Sequence, residues 1–231
     1  MKLFHTAMAS VAILSASFVA TAKDVAEQMR DVGAFTKISL EGSMDVEVKV
    51  GPAQSVKVIA DSNIIDNLRT RVRGDELEID LDHGSYRNIK KMLVIITVPM
   101  LEETDLKGSG DMRIEGINQE TFKAGLRGSG DVIVADAQVE NMRIDLKGSG
   151  DVKVDGTCGD IRINLQGSGD VRAKKMKCKS ADVSLRGSGD VDLFASESAD
   201  LTVQGSGDIT VVGKPDKISQ RVRGSGDIHV D

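Results

Sequence analysis

The phrase Gly-Ser-Gly-Asp constrains the fold more than anything else in the chain. It begins at Gly108 and returns at Gly128, Gly148, Gly167, Gly187, Gly205 and Gly224, at intervals of 20, 20, 19, 20, 18 and 19 residues. A near-constant period of this length marks a solenoid, in which each repeat is one coil that can bury its apolar face only by stacking on its neighbours. An alternating apolar segment precedes each phrase (Met142, Ile144, Leu146; Ile161, Ile163, Leu165) and another follows it (Val152, Val154; Val191, Leu193). Alternate residues of a strand face opposite ways, so the apolar set lines one face, and stacking turns it into columns. The outward positions carry Lys107, Arg113, Arg143, Lys153 and Arg162. The expected fold is all-β: a parallel β-helix or solenoid with coils of about 20 residues.

The glycines leave two geometries open. If the backbone turns at the phrase, glycine supplies a positive φ. If it stays extended, glycine thins the core and allows close backbone approach. Either way Ser stacks on Ser and Asp on Asp. Residues 105–231 form the regular part of a single domain, 23–231, and residues 23–104 its irregular part.

In that irregular part, Val25, Met29 and Val32 are at helical spacing, and a short helix is expected there. Glu41-Gly42-Ser43-Met44-Asp45 is a degenerate copy of the phrase. Alternation continues through Val46, Val48 and Val50, through Val56, Val58 and Ala60, and through Leu77, Ile79 and Leu81. Asp45 to Asp111 has room for three further coils, and the alternative is a small β-sandwich cap. His83–Lys91 is polar and is read as a mobile loop. Leu93–Val98 is dense in apolar residues and is read as a strand buried on both faces.

Residues 1–22 have the form of a secretory signal: Lys2, an apolar run, then Ala20-Thr21-Ala22. Cleavage would leave Lys23 first, in an extracytoplasmic compartment (periplasm, cell surface or medium), with no transmembrane helix in the mature chain. No Cys stands at the cleavage point, so the lipoprotein route is not expected. A net charge of −6 argues against a nucleic-acid partner, which would call for a basic face. Trp is absent and Tyr occurs once, which counts against a conventional ring-stacking lectin or glycoside hydrolase.

The two cysteines, Cys158 and Cys178, stand one repeat apart. Strands about 4.8 Å apart bring such a pair within disulfide reach, and the alternatives are a bridge or two free thiols. Asp111, Asp131, Asp151, Asp170, Asp190, Asp208 and Asp227 should form a column. Neighbouring carboxylates repel, so something must offset that. The structural reading has each Asp accept backbone N–H groups at the turn, with Lys107, Arg127, Lys147, Arg186 and Arg223 diluting the charge. The functional reading is a row of Ca²⁺ sites. The phrase lacks the spacing of the calcium β-roll and the Lys-Ser/Thr of a phosphate loop. No catalytic constellation is readable from spacing, and no other cofactor is implied.

The signal segment, Gly42-Ser43-Met44-Asp45, the strands Leu77–Leu81 and Leu93–Pro99, and the repeated Gly-Ser-Gly-Asp-Val together resemble the head GIN domain of auto-transporter adhesins. That resemblance implies a secreted bacterial β-solenoid without an assigned enzyme activity. The chain has no carboxy-terminal barrel segment, so self-export is not expected. Three functions follow as expectations. The first is a non-catalytic adhesive or scaffolding envelope protein, with an envelope protein or polysaccharide as partner. The second is a Ca²⁺- or polysaccharide-binding module using the Asp column, and the third a polysaccharide-cleaving β-helix. The last coil, uncapped, is expected to pair with another copy.

Overall fold

The alternating segments become two walls of a stack. The computed structural model describes residues 25–231, so the signal segment lies outside the described residues. In chain order the strands are β1 (Val25–Arg30), β2 (Lys37–Gly42), β3 (Asp45–Val50), β4 (Ser55–Asp61), β5 (Leu68–Arg73) and β6 (Glu76–Leu81). Then come β7 (Met92–Val98), β8 (Glu103–Gly108), β9 (Met112–Glu115), β10 (Asn118–Gly128), β11 (Val132–Gly148) and β12 (Val152–Gly167). The chain ends with β13 (Val171–Gly187), β14 (Val191–Gly205), β15 (Ile209–Val212), β16 (Lys217–Gly224) and β17 (Ile228–Val230).

Before the phrase, β8 pairs in parallel with β10, β10 with β11, and so on through β12, β13 and β14 to β16. After it, β9 pairs with β11, and the ladder continues through β14 to β15 and β17. Like meets like: Ile144 pairs with Ile163 and Leu146 with Leu165. These inward columns are fully buried. Each such side chain contributes roughly 1.5–3 kcal/mol of burial.

Residues 25–98 stack out of sequence order. β2 and β3 make one coil, and β8 and β9 lie directly against it. The intervening chain forms a second coil, β6 and β7, on the opposite side of β2 and β3. Three sequential coils between Asp45 and Asp111 are therefore not what forms, because Asp111 is the stacking neighbour of Asp45. That end of the stack is closed by antiparallel strands: β5 covers β6, and β4 and β1 cover β7.

Two local expectations need correction. Residues 25–30 are a strand, not a helix: pairing along β4 outweighs a weak three-residue helical pattern. β7 is flanked on both edges, by β3 and β4, but buries chiefly one face, through Val94, Ile96 and Val98. Its apolar density reflects central position, not two covered faces. The segment around His83–Lys91 joins β6 to β7 where other coils have the short turn. It is a loop, as expected, with Lys90 N–H donating to Asp61 Oδ2 at 2.7 Å and Tyr86 Oη donating to the Asp82 carbonyl at 2.9 Å.

Candidate functional site

The Gly-Ser-Gly-Asp turn shows what its residues are for. The first glycine of each phrase takes a positive φ, +147° at Gly128 and +138° at Gly148, so the backbone turns there, as L side chains rarely can. Its carbonyl accepts two N–H groups from the next coil. Ser149 N–H donates to Gly128 O at 2.9 Å, and Gly150 N–H to the same oxygen at 3.2 Å. The second glycine is buried against the coil before it, and a Cβ on Gly130 would overlap the carbonyl oxygen of Gly110. Turn and close approach both hold: the turn at the first glycine, and the close approach at both, since a Cβ on Gly128 would likewise overlap the carbonyl oxygen of Gly108.

The aspartates stand in file and bond to each other through the main chain. Oδ1 of Asp111 accepts the N–H of Asp131 at 3.0 Å, and Oδ1 of Asp131 that of Asp151 at 3.0 Å. The pattern continues through Asp170, Asp190, Asp208 and Asp227, at 2.8–3.0 Å. It starts at the degenerate phrase, where Asp45 Oδ1 accepts Asp111 N–H at 3.1 Å. One oxygen of each carboxylate from Asp45 to Asp208 thus holds the next coil. The other faces outward, and at Asp151 and Asp170 it meets Arg172, at 2.7 and 3.1 Å. The bond to Asp151, then its charge, then that of Asp170 raises the Arg172 pKa above its ordinary value. Among the described residues no three His, Cys, Asp or Glu side chains converge as metal ligands.

Among the described residues none of the five cations expected to neutralise the column pairs with it; the ion pairs are made by Arg172, which was not among them and lies two residues past Asp170. Lys107 and Arg127 turn instead to Asp105, at 3.5 and 2.9 Å. Lys147, Arg186 and Arg223 are exposed and make no ion pair among the described residues. The phrase serines are also exposed. Their main-chain N–H groups hold the turn, while their hydroxyls bond to no described protein group.

On the far side of each coil, Cys158 lies in register with Cys178. A disulfide joins them, with Cα atoms 4.4 Å apart. Next to them the Lys177 ammonium sits 4.1 Å from the centre of the Phe194 ring.

A groove of about 500 Å³ runs along the stack where the far side meets the wall that leads to the phrase. Thr121, Asn141, Asp160, Ser180 and Ser198 line it as one file, from β10 to β14. Arg143 and Arg162 form a second file two residues on, and Met142, Ile161 and Ala181 lie between. Arg143 is held by Asp145, at 2.8 and 3.2 Å, and Arg162 by Asp182, at 3.1 Å. Burial alone would raise the Asp145 pKa, but hydrogen bonds from Arg143 and Asn164, with Lys123 nearby, hold it below the usual carboxylate value. Sequence reasoning missed this file because its residues differ from coil to coil. The available signal was one polar residue, fixed in place, just before each apolar segment.

The family model described as "Putative auto-transporter adhesin, head GIN domain" matches residues 34–215. A solved structure of a putative adhesin from Bacteroides fragilis superposes with a TM-score of 0.86 at 26% identity, over 91% of this chain and 98% of that one. A putative lipid binding protein from Parabacteroides distasonis gives 0.74 at 24% identity, with the same coverage of each chain. A putative adhesin from Parabacteroides merdae gives 0.70 at 14% identity, over 91% of this chain and 97% of that one, a likeness of fold. Among curated proteins none matches. With the model spanning most of its length and the stacked coils in place, the chain belongs to the family of the auto-transporter adhesin head GIN domain.

Proposed function

We propose that this protein is a non-catalytic, extracytoplasmic β-solenoid that acts as an adhesive or scaffolding surface of the bacterial envelope. One observation carries the reading. The repeated carboxylate, the Asp column, holds coil to coil by N–H···Oδ1 bonds, so its repetition has a structural cause. Contact chemistry then falls to the outward files of Lys, Arg, Asn and Ser. In this reading the signal segment is removed, and the mature chain begins at Lys23. The test is retention of protein-coated beads on native cell envelopes, with amino-terminal sequencing of the protein recovered from fractionated cells. Beads that wash off freely, or protein recovered only from cytosol with residues 1–22 intact, would refute it.

Self-association through the last coil is part of the same proposal. Ile218 and Val222 continue the inward columns onto β16 but are 47% and 43% exposed. Between them Gln220 replaces the buried Leu201 of the coil before. An open strand edge with apolar side chains favours pairing with another chain. Sedimentation of the full chain beside Ile218→Asp/Val222→Asp decides it: the wild type should associate with rising concentration and the variant should not.

A further inference from the structure

We infer that the groove along the Asn141, Asp160 and Ser180 file binds a linear, uncharged glycan lying parallel to the stack axis. The inference rests on the adhesive reading and adds to it a site and a ligand class.

The argument begins with what the lining groups are not doing. The side chains of Thr121, Asn141, Asp160, Ser180 and Ser198 make no hydrogen bond within the described protein. They are nevertheless aligned by the ladders beneath them: Asn141 pairs with Asp160, Asp160 with Ser180 and Ser180 with Ser198. Amide, carboxylate and hydroxyl groups in a fixed file offer donors and acceptors to neighbouring hydroxyls. Across the groove, Arg143 and Arg162 are already oriented by Asp145 and Asp182, and each guanidinium keeps N–H groups free. Pre-positioned donors of this kind lose little freedom on binding. Between the files, the side chains of Met142, Ile161 and Ala181 turn inward and are buried in the core, so the floor of the groove is main chain and the two polar files carry the contacts.

The shape selects a chain rather than a single sugar. The file crosses β10 to β14, four steps of about 4.8 Å, or about 19 Å in all. Each step presents equivalent positions, so successive rings of a linear polymer meet similar groups. Charge selects the class. Arg143 and Arg162 are paired with protein carboxylates, and Asp160 has no cation partner among the described residues, so a polycarboxylate would meet uncompensated negative charge. A peptide adding a strand is excluded within the groove, because strand N–H and C=O groups there are used between coils.

The experiment is calorimetric titration of the full chain with cellohexaose, xylohexaose, chitohexaose and hexagalacturonate. At least one uncharged hexasaccharide should bind. Asp160→Ala/Arg162→Ala should weaken it by roughly tenfold or more, and Lys147→Ala/Arg186→Ala, on a different file, should not. Ser180→Trp, which fills the groove, provides an independent block, and equal melting temperatures show that the variants fold. Binding of hexagalacturonate alone, binding of none of the four, or binding indifferent to these substitutions overturns the inference. If beads carrying the groove variants adhere like wild type, this inference fails and the adhesive reading stands. If wild-type beads never adhere, the adhesive reading fails, whatever the titrations give.

Discussion

Between consecutive Gly-Ser-Gly-Asp phrases the chain varies by up to two residues, and none of that variation occurs at the phrase. On the far side, the spacing from Val134 to Asn141, Val154 to Asp160, Ala173 to Ser180, Leu193 to Ser198 and Val211 to Lys217 runs 7, 6, 7, 5 and 6. The register breaks there and only there, between Val134 and Ala137, Lys153 and Asp155, Ala173 and Lys177, and Cys178 and Ser180. The two sides solve stacking differently. At the phrase each coil must repeat its neighbour atom for atom, since both glycines touch the coil before, and side chains are excluded. On the far side the backbone is free to bulge, and local chemistry holds it: a disulfide, and a lysine over a ring. Repetition follows from tight backbone contact, and variety from its absence.

The sharpest way to break this comparison is one methyl group. Gly130→Ala puts a Cβ onto the Gly110 carbonyl in the middle of the stack, where no flexible side chain can yield. A loss above about 4 kcal/mol, the exceptional range for point substitutions, is expected in urea unfolding. Thr157→Ala, on the far side, should stay within about 0.5 kcal/mol. Equal effects would mean that the two sides are not built differently.

The next test concerns how the far side is held. The Cys158–Cys178 bridge closes a loop of one coil. Replacing both cysteines with serine should cost about 3 kcal/mol on the chain-entropy scale for loops of this size, read as a fall in the urea midpoint. Reductant should reproduce the loss in the wild type and leave the variant unchanged. No change in either would transfer the far side's stability to its strand ladder alone.

A smaller effect is expected at the phrase itself. Asp151→Ala removes the acceptor for Asp170 N–H and one of the two partners of Arg172. The site is partly exposed, so water replaces much of what is lost, and about 1 kcal/mol is expected. Asp151→Asn keeps an acceptor and should recover most of it. Added Ca²⁺ or chelator should leave the wild-type melting temperature unmoved, and a clear rise with Ca²⁺ would restore the cation reading of the column.

Legibility in the sequence divides along the same line. The phrase could be read because tight contact enforces identity, and identity at a fixed spacing is visible in one chain. The inward columns were readable too, since Ile144 over Ile163 is simple alternation brought into register. The order of the first coils was not. Nothing in Val46 or Val94 says that β7 lies on the outer side of β3 while β9 takes the inner, because both choices bury the same faces. The groove was hidden for the opposite reason to the phrase: Asn141, Asp160 and Ser180 share a place but not a residue type.

The smallest expected effect lies on the wall between the two sides, at Asp145. Its carboxyl is held below the ordinary value of 3.8 despite burial, by hydrogen bonds from Arg143 and Asn164. A depressed folded-state pKa contributes stability that is present above the unfolded value and is lost as pH falls through the folded one. The contribution should therefore be complete at neutral pH and fade below about pH 4. Its side chain is 23% exposed, so solvent screening keeps the effect to a fraction of a kcal/mol, within about 1. Asp145→Asn should be slightly less stable than wild type at pH 7, with the two urea curves converging toward pH 3. Because Arg143 also lines the groove, the same variant should loosen that guanidinium and weaken hexasaccharide binding more than it weakens the fold. A binding loss no larger than the stability loss would show that Asp145 serves the wall alone.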